Sequence, residues 1–183
     1  LGEALVAIGA TASDIGLTLK VLIGLAAATS VACVIWWVYF AFIPRVVEHK
    51  LEHAGDGHRG RAARDLFTFG HFPIVTGIIA YAVVAKHMVA DPTESLPISD
   101  RLLLVAALAM LIGGCLHIQW RVVHRLAPER FVAVVAPAAR LLAGASRPGA
   151  AAVGGVAVIL AVMQSITWRR YQAGPLAAAI GNR

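Results

Sequence analysis

Four ionisable side chains stand out because they interrupt long apolar runs. Glu3, His71, His117 and Arg140 lie in stretches otherwise dominated by aliphatic and small residues. Ionisable groups in such surroundings are costly without a partner, and in membrane proteins they mark proton, ion or substrate sites. We therefore predict these four as binding or proton-handling residues. No catalytic residue is predicted.

Glu3 and Arg140 each leave more than one interpretation open. Glu3 could bind a proton or a cation, or it could make a structural hydrogen bond to a neighbouring helix. Arg140 could pair with Glu3, bind an anionic substrate group, or extend its guanidinium to the membrane surface along its aliphatic stem.

Histidines form the second candidate group. His71 and His117 are predicted at similar depths on neighbouring helices, where they could relay protons, bind a quinone headgroup or ligate a haem. The alternative is a hydrogen bond to a backbone carbonyl or a lipid headgroup. No cofactor is predicted, and a haem between His71 and His117 is the alternative. No metal site is predicted either, because nothing completes a ligand set around His49, His53 and His58.

Several classes of function are disfavoured by the sequence. It contains no phosphate-binding glycine motif, nucleophile elbow or metalloprotease helix, so an enzyme is not predicted. The formal net charge is +6, but the basic residues are scattered between apolar runs instead of forming one stripe, which argues against a nucleic-acid partner. The predicted partner is a lipid bilayer, and other membrane subunits are a further possible partner.

The elements that position these residues are predicted from hydropathy. Hydrophobic residues make up 59% of the chain and charged residues 14%, whereas a soluble domain carries about 25% charged residues. A helix needs about 20 apolar residues to cross a bilayer core about 30 Å thick. The runs are too long and too evenly apolar for barrel strands.

We therefore predict an all-α, polytopic transmembrane helix bundle in one domain, residues 1–172, with about five full spans plus a partial N-terminal helix. The partial helix, interpreted as the last part of a longer one, and the five spans cover residues 1–12, 21–43, 66–90, 101–120, 131–146 and 150–168. Residues 173–183 are predicted to form a C-terminal tail.

Charge predicts the orientation, and small residues predict some contacts. Eleven Lys and Arg residues lie in loops 44–65 and 121–130 and after Trp168, against three in the alternate connections. The positive-inside rule places the first group in the cytoplasm. Two pairs four residues apart, Ala109 with Gly113 and Ala151 with Gly155, are predicted to allow close helix approach. Both cysteines, Cys33 and Cys115, are predicted to be buried thiols.

Three motifs, in this order, resemble the low temperature requirement protein A family of bacteria. They are LGEALVAIG at residues 1–9, WWVYF at 36–40 and HFPIVTGIIAYAV at 71–83, the last followed by Lys-His at 86–87. The resemblance implies a multi-pass protein of the bacterial inner membrane, with further helices ahead of the Gly-Glu motif. It places Glu3 and His71 inside family motifs but supplies no mechanism.

The sequence leaves three functions open. The favoured one is a transport-like protein for protons, ions or a small solute, based on Glu3, His71 and Arg140 and on the kink-prone Pro73 and Pro137. The alternative is an accessory or scaffold subunit of a larger membrane complex. The third is a haem-binding redox subunit.

Overall fold

The computed structural model describes residues 1–52, 60, 64–123, 129–144 and 146–173. Loop histidines His53 and His58 and most of the predicted tail, residues 174–183, lie outside the described residues. The described helices are α1 (Gly2–Ile15), α2 (Leu19–Glu52), a π-helical segment (Asp65–Phe69), α3 (His71–Ala90), α4 (Ile98–Val123), α5 (Glu129–Ala143) and α6 (Gly149–Ala173).

The prediction of a helical membrane bundle is confirmed. Within the described residues, four helical stretches are long and apolar enough to cross a bilayer: Leu19–Ala41, Asp65–Ala90, Ile98–Val122 and Gly149–Arg170. Large hydrophobic side chains such as Val6, Phe72 and Val158 are exposed on the outside. Aliphatic surface of this kind is compatible with lipid as the surrounding solvent, because lipid tails are as apolar as leucine.

One end of the bundle, here called the turn end, brings together the connections at residues 16–18, 91–97 and 146–148. The Gly149 N–H donates to the Glu94 carbonyl at 2.6 Å, and the Ala150 N–H donates to the Pro92 carbonyl at 3.1 Å. A side chain at Gly24 of α2 would meet Pro92 at 2.9 Å. The starts of α2, α4 and α6 and the end of α3 therefore lie at the same end.

The opposite end is here called the arginine-rich end and includes Arg64, Arg121, Arg169 and Arg170. Nη2 of Arg121, on α4, donates to Oδ2 of Asp65 at 2.9 Å, which joins the end of α4 to the start of the π-helical segment. Since α4 ends here and α6 starts at the turn end, α5 runs from one end to the other. The apolar stretch of α5, Phe131–Ala143, is shorter than the four candidate spans.

The core lies between α2, α3, α4 and α6. Buried residues from all of these helices, such as Val31, Tyr81, Leu108 and Val156, form one apolar cluster. The Tyr81 hydroxyl donates to the Ala28 carbonyl at 2.5 Å and so links α3 to α2 in the interior. This shared core fixes the positions of the four helices relative to one another.

Close approach between helices occurs at some glycines that were not predicted. A side chain at Gly77 of α3 would meet the Ala107 carbonyl of α4 at 2.6 Å, and one at Gly114 would meet Ile74 at 2.6 Å. The prediction for Gly113 is wrong, because that residue has open space around it. Spacing of small residues alone does not indicate which face of a helix is packed.

One further prediction, that Cys33 is buried, is wrong, and one helix extends beyond its predicted span. The apolar span of α2 ends at Ala41, close to the predicted end at residue 43, while the helix itself continues through Pro44 to Glu52. Buried Ile43 and Val47 pack on both sides of the proline, and transmembrane helices tolerate the missing N–H when neighbours hold the flanking turns. Cys33 is exposed, whereas Cys115 is buried as predicted.

Candidate functional site

The candidate site is centred on His71 and Tyr39. The Tyr39 hydroxyl of α2 lies 2.5 Å from Nε2 of His71 at the start of α3, although the two residues are 32 positions apart. Their rings meet edge to face with centroids 5.5 Å apart. This bond joins the aromatic block at residues 36–40 to the histidine motif that begins at residue 71.

A π-helical turn supplies the second partner of His71. Nδ1 of His71 lies 3.0 Å from the Leu66 carbonyl oxygen. Because a carbonyl oxygen only accepts, Nδ1 carries a hydrogen and donates it. In the neutral ring Nε2 is then the acceptor, and the Tyr39 O–H donates to it. The Leu66 carbonyl therefore fixes the tautomer of the imidazole.

The backbone around Leu66 is held by close packing. The Gly70 N–H donates to the Asp65 carbonyl at 3.1 Å, which closes the wide turn. A side chain at Gly70 would lie 2.5 Å from the Leu66 carbonyl oxygen and 2.6 Å from Ile118. Gly70 has an ordinary helical conformation. The close approach of Leu66 and Ile118, and not an unusual φ angle, therefore explains why this position is a glycine. π-helical turns are rare and frequent at functional sites.

The pair lies just inside one end of the apolar spans. Tyr39 is close to the end of the span Leu19–Ala41, and His71 follows the start of the span at Asp65. At about 1.5 Å per helical residue, His71 is about 9 Å from that start. The Phe67 ring stacks on His71 at 5.5 Å, with 17° between the ring planes. The imidazole is half-buried near the arginine-rich end.

The arrangement allows two hydrogen-bonded states. In the neutral state Tyr39 donates to His71. In the protonated state both ring nitrogens donate, so Tyr39 must accept from Nε2 and turn its own hydrogen elsewhere. One proton thus reverses the donor and acceptor across the α2–α3 contact.

His117 is exposed on α4 and is not a partner of either ring nitrogen of His71. Both nitrogens are engaged by Tyr39 and Leu66. A haem between His71 and His117 would therefore require His71 to give up one of these bonds. Among the described residues, no group of three or more His, Cys, Asp and Glu side chains is arranged to hold a metal ion.

Arg140 and Glu3 lie at different distances from the turn end. Nη2 of Arg140 donates to the Ala151 carbonyl at 3.1 Å, near the turn end. Glu3 is exposed on the first turn of α1, whose other end is at the turn end. At about 1.5 Å per residue, Glu3 is about 18 Å from Ile15. The structure therefore does not pair Glu3 with Arg140.

Sequence reasoning selected His71 and missed Tyr39. Tyr39 stands in a block rich in aromatic residues, a pattern typical of the membrane interface, so its position in the sequence did not single it out. The available signal was its hydroxyl, since a buried tyrosine O–H usually finds a partner. Gln164 was also missed, although it is an amide within an otherwise apolar run. It is 5% exposed in the structure.

The comparison with protein families gives one match. A family model described as bacterial low temperature requirement A protein (LtrA) matches residues 1–175, which include all the described helices. No curated protein and no solved structure matches the chain.

Proposed function

The chain belongs to the bacterial low temperature requirement A family, and we propose that it has a transport-like function in which His71, hydrogen-bonded to Tyr39, takes up and releases a proton. The observation that carries this proposal is the 2.5 Å contact between the Tyr39 hydroxyl and His71 Nε2. The contact lies inside two spans that are mostly apolar. Imidazole gains or loses a proton in the physiological pH range, which suits it to such a role.

The proton enters at Nε2 of His71. The incoming proton takes the lone pair that accepts from Tyr39 in the neutral state. Tyr39 keeps its own hydrogen, which must rotate away so that the hydroxyl oxygen can accept. Nδ1 continues to donate to Leu66 throughout, because a carbonyl accepts from either form of the ring. Only the bond between α2 and α3 changes.

This change provides a link between protonation and helix arrangement. Transport requires two arrangements of the helices whose populations a bound ion can shift. The Tyr39–His71 bond is one of the polar links between α2 and α3, so its reversal biases their contact. We propose the proton as the transported or coupling ion.

Proton flux in liposomes containing the full-length protein tests the proposal. We expect Tyr39→Phe and His71→Gln each to reduce proton flux at least about tenfold. This lower bound is smaller than the rate contribution that is typical of a positioned proton-transfer group. Tyr81→Phe is the matched control, because it also removes a tyrosine hydroxyl that links α3 to α2. Wild-type flux in both site variants, or no flux in the wild-type protein, would contradict the proposal.

The exposure of Glu3 supports a second candidate function, an accessory or scaffold subunit. A carboxylate on the outward face of an apolar helix is costly in lipid, and such groups normally face a protein partner or a water-filled cavity. A partner with a basic or hydrogen-bonding group would cover it.

Purification in mild detergent distinguishes this candidate from the first. We expect a co-purifying membrane subunit that is lost in Glu3→Gln and kept in Glu94→Gln, a control at an exposed carboxylate of the turn end. A chain that purifies alone in the wild type would contradict the subunit role without affecting the proton-exchange proposal.

A further inference from the structure

A small cavity lies where α2, α4, α5 and α6 meet. Val38, Ile112, Ala133 and Leu160 contribute one wall each from these four helices. The cavity volume is about 20 Å³, which exceeds the roughly 10–15 Å³ that a water molecule requires. Much of the lining is apolar, so a polar group that faces the cavity indicates where a bound molecule could form a hydrogen bond.

Gln164 supplies such a group. This residue of α6 is 5% exposed and lines the cavity. Its Nε2 is buried and has no hydrogen-bonding partner among the described residues of the protein. A buried amide donor left without a partner costs more free energy than its hydrogen bond would contribute. An acceptor in the cavity would remove that cost.

Thr167 provides a complementary acceptor on the same helix. It lines the cavity, and its hydroxyl hydrogen is already donated to the Met163 carbonyl at 2.9 Å. Its Oγ1 lone pairs can accept another hydrogen. A water molecule in a protein interior needs two to four polar partners, and the cavity wall offers a donor and an acceptor.

We propose that this cavity is a binding site for one water molecule, which accepts a hydrogen bond from Gln164 Nε2 and donates one to Thr167 Oγ1. The volume is enough for one water molecule. Neither Tyr39 nor His71 lines the cavity, and the proposal does not rest on proton exchange.

Gln119 extends the polar lining towards the arginine-rich end. It follows Cys115, a cavity residue, by four positions on α4 and so lies on the same face about one turn further. Its Oε1 is also buried without a hydrogen-bonding partner among the described residues. Two buried side-chain amides, Gln119 and Gln164, thus have an atom without a partner in this half of the described bundle.

The sign of a stability change tests the proposal. Gln164→Met keeps the side-chain length and removes the donor. If water is bound, the variant loses its anchor and leaves the water with fewer partners, so we expect a lower thermal midpoint in the same detergent. A dry cavity predicts a higher midpoint, because the substitution removes an unsatisfied donor and fills apolar space.

Two further variants complete this measurement. Thr167→Val removes the acceptor with little change of shape, and we expect it to lower the midpoint as well. Ser165→Ala is the control, because Ser165 is the neighbour of Gln164 and its hydroxyl donates within its own helix, to Ala161. We expect Ser165→Ala to change the midpoint less than either cavity variant.

A high-resolution density map of the wild-type protein gives a readout that does not depend on variant folding. We expect one isolated peak within about 3.2 Å of Gln164 Nε2, and no such peak in Gln164→Met. An empty cavity, or density larger than one atom, would overturn the proposal. Neither measurement involves proton flux, so its failure is distinguishable from failure of the proposed function.

Discussion

The guanidinium of Arg140 lies directly against the backbone of Gly155. A side chain at Gly155 would overlap Nε, Cζ and Nη2 of the arginine. One turn earlier on the same helix, the Ala151 carbonyl accepts a hydrogen bond from Nη2 at 3.1 Å. Because Gly155 has no side chain, α6 has a recess that accepts the Arg140 guanidinium. The backbone of α6 holds this guanidinium, and no carboxylate pairs with it among the residues that the structure describes.

Gly155→Ala should displace Arg140 and destabilise the protein by about 1–3 kcal/mol, the usual cost of forcing an extra group into a packed contact. Thermal unfolding in detergent measures the effect. Gly154→Ala is the matched control, because its new methyl group would make an ordinary contact with Ala27 at 3.9 Å.

The same substitution should become nearly harmless when Arg140 is absent. In an Arg140→Ala background the recess is empty, so Gly155→Ala meets no obstacle. Thermal unfolding of the two single variants and the double variant forms a cycle that isolates this pairwise energy. An equal cost of Gly155→Ala in both backgrounds would show that the contact with Arg140 is not its cause.

Gly70→Ala should disturb the candidate site through the backbone. The new methyl group would press on the Leu66 carbonyl, the acceptor for His71 Nδ1. We expect a loss of about 1–3 kcal/mol in the free energy of unfolding, measured by thermal or detergent-induced unfolding. Gly113→Ala is the control, since nothing lies within 4 Å of its added carbon. A loss of the same size in Gly113→Ala would contradict this explanation.

The hydrogen-bond partners of His71 predict its tautomer. Nitrogen NMR of labelled histidine should show a protonated Nδ1 and an accepting Nε2 in the neutral ring. Tyr39→Phe should shift the Nε2 signal towards that of a free acceptor and leave Nδ1 protonated. Tyr81→Phe should leave both signals unchanged. A neutral ring with its hydrogen on Nε2 would contradict the assigned direction of both bonds.

The positive-inside rule predicts the orientation of the two ends. In a background with both cysteines replaced by alanine, Thr93→Cys marks the turn end and Arg64→Cys marks the arginine-rich end. Both positions are exposed. A membrane-impermeant thiol reagent should label Thr93→Cys from the outer side of the inner membrane, and Arg64→Cys only after the membrane is opened. The reverse pattern would invert the topology.

Much of the fold could be predicted from the sequence because the bilayer imposes a simple rule. Apolar runs of sufficient length must be helices, and charged clusters must separate them. Helix ends were harder to predict, as at Pro44, where the local signal for a break is outweighed by packing of Ile43 and Val47.

The candidate site could be predicted only in part. His71 was visible because an ionisable residue in an apolar run is unusual, but its partners come from Tyr39, far away in sequence, and from a backbone carbonyl. No residue pattern predicts which carbonyl a π-helical turn will present. His117 was grouped with His71 from estimated depth alone, which says nothing about the direction in which a helix face points.

The wide turn at Asp65–Phe69 makes the site sensitive to the number of residues as well as to their identity. A π-helical turn accommodates one more residue than an α-helical turn. Deleting one residue within it would restore a regular helix but rotate Asp65 by about 100° relative to His71, at 3.6 residues per turn. Tyr39, His71 and Arg121 would all remain, yet Arg121 would lose its carboxylate and His71 its carbonyl. A related protein with one residue fewer in this turn would therefore lack these hydrogen bonds even if it kept Tyr39, His71 and Arg121.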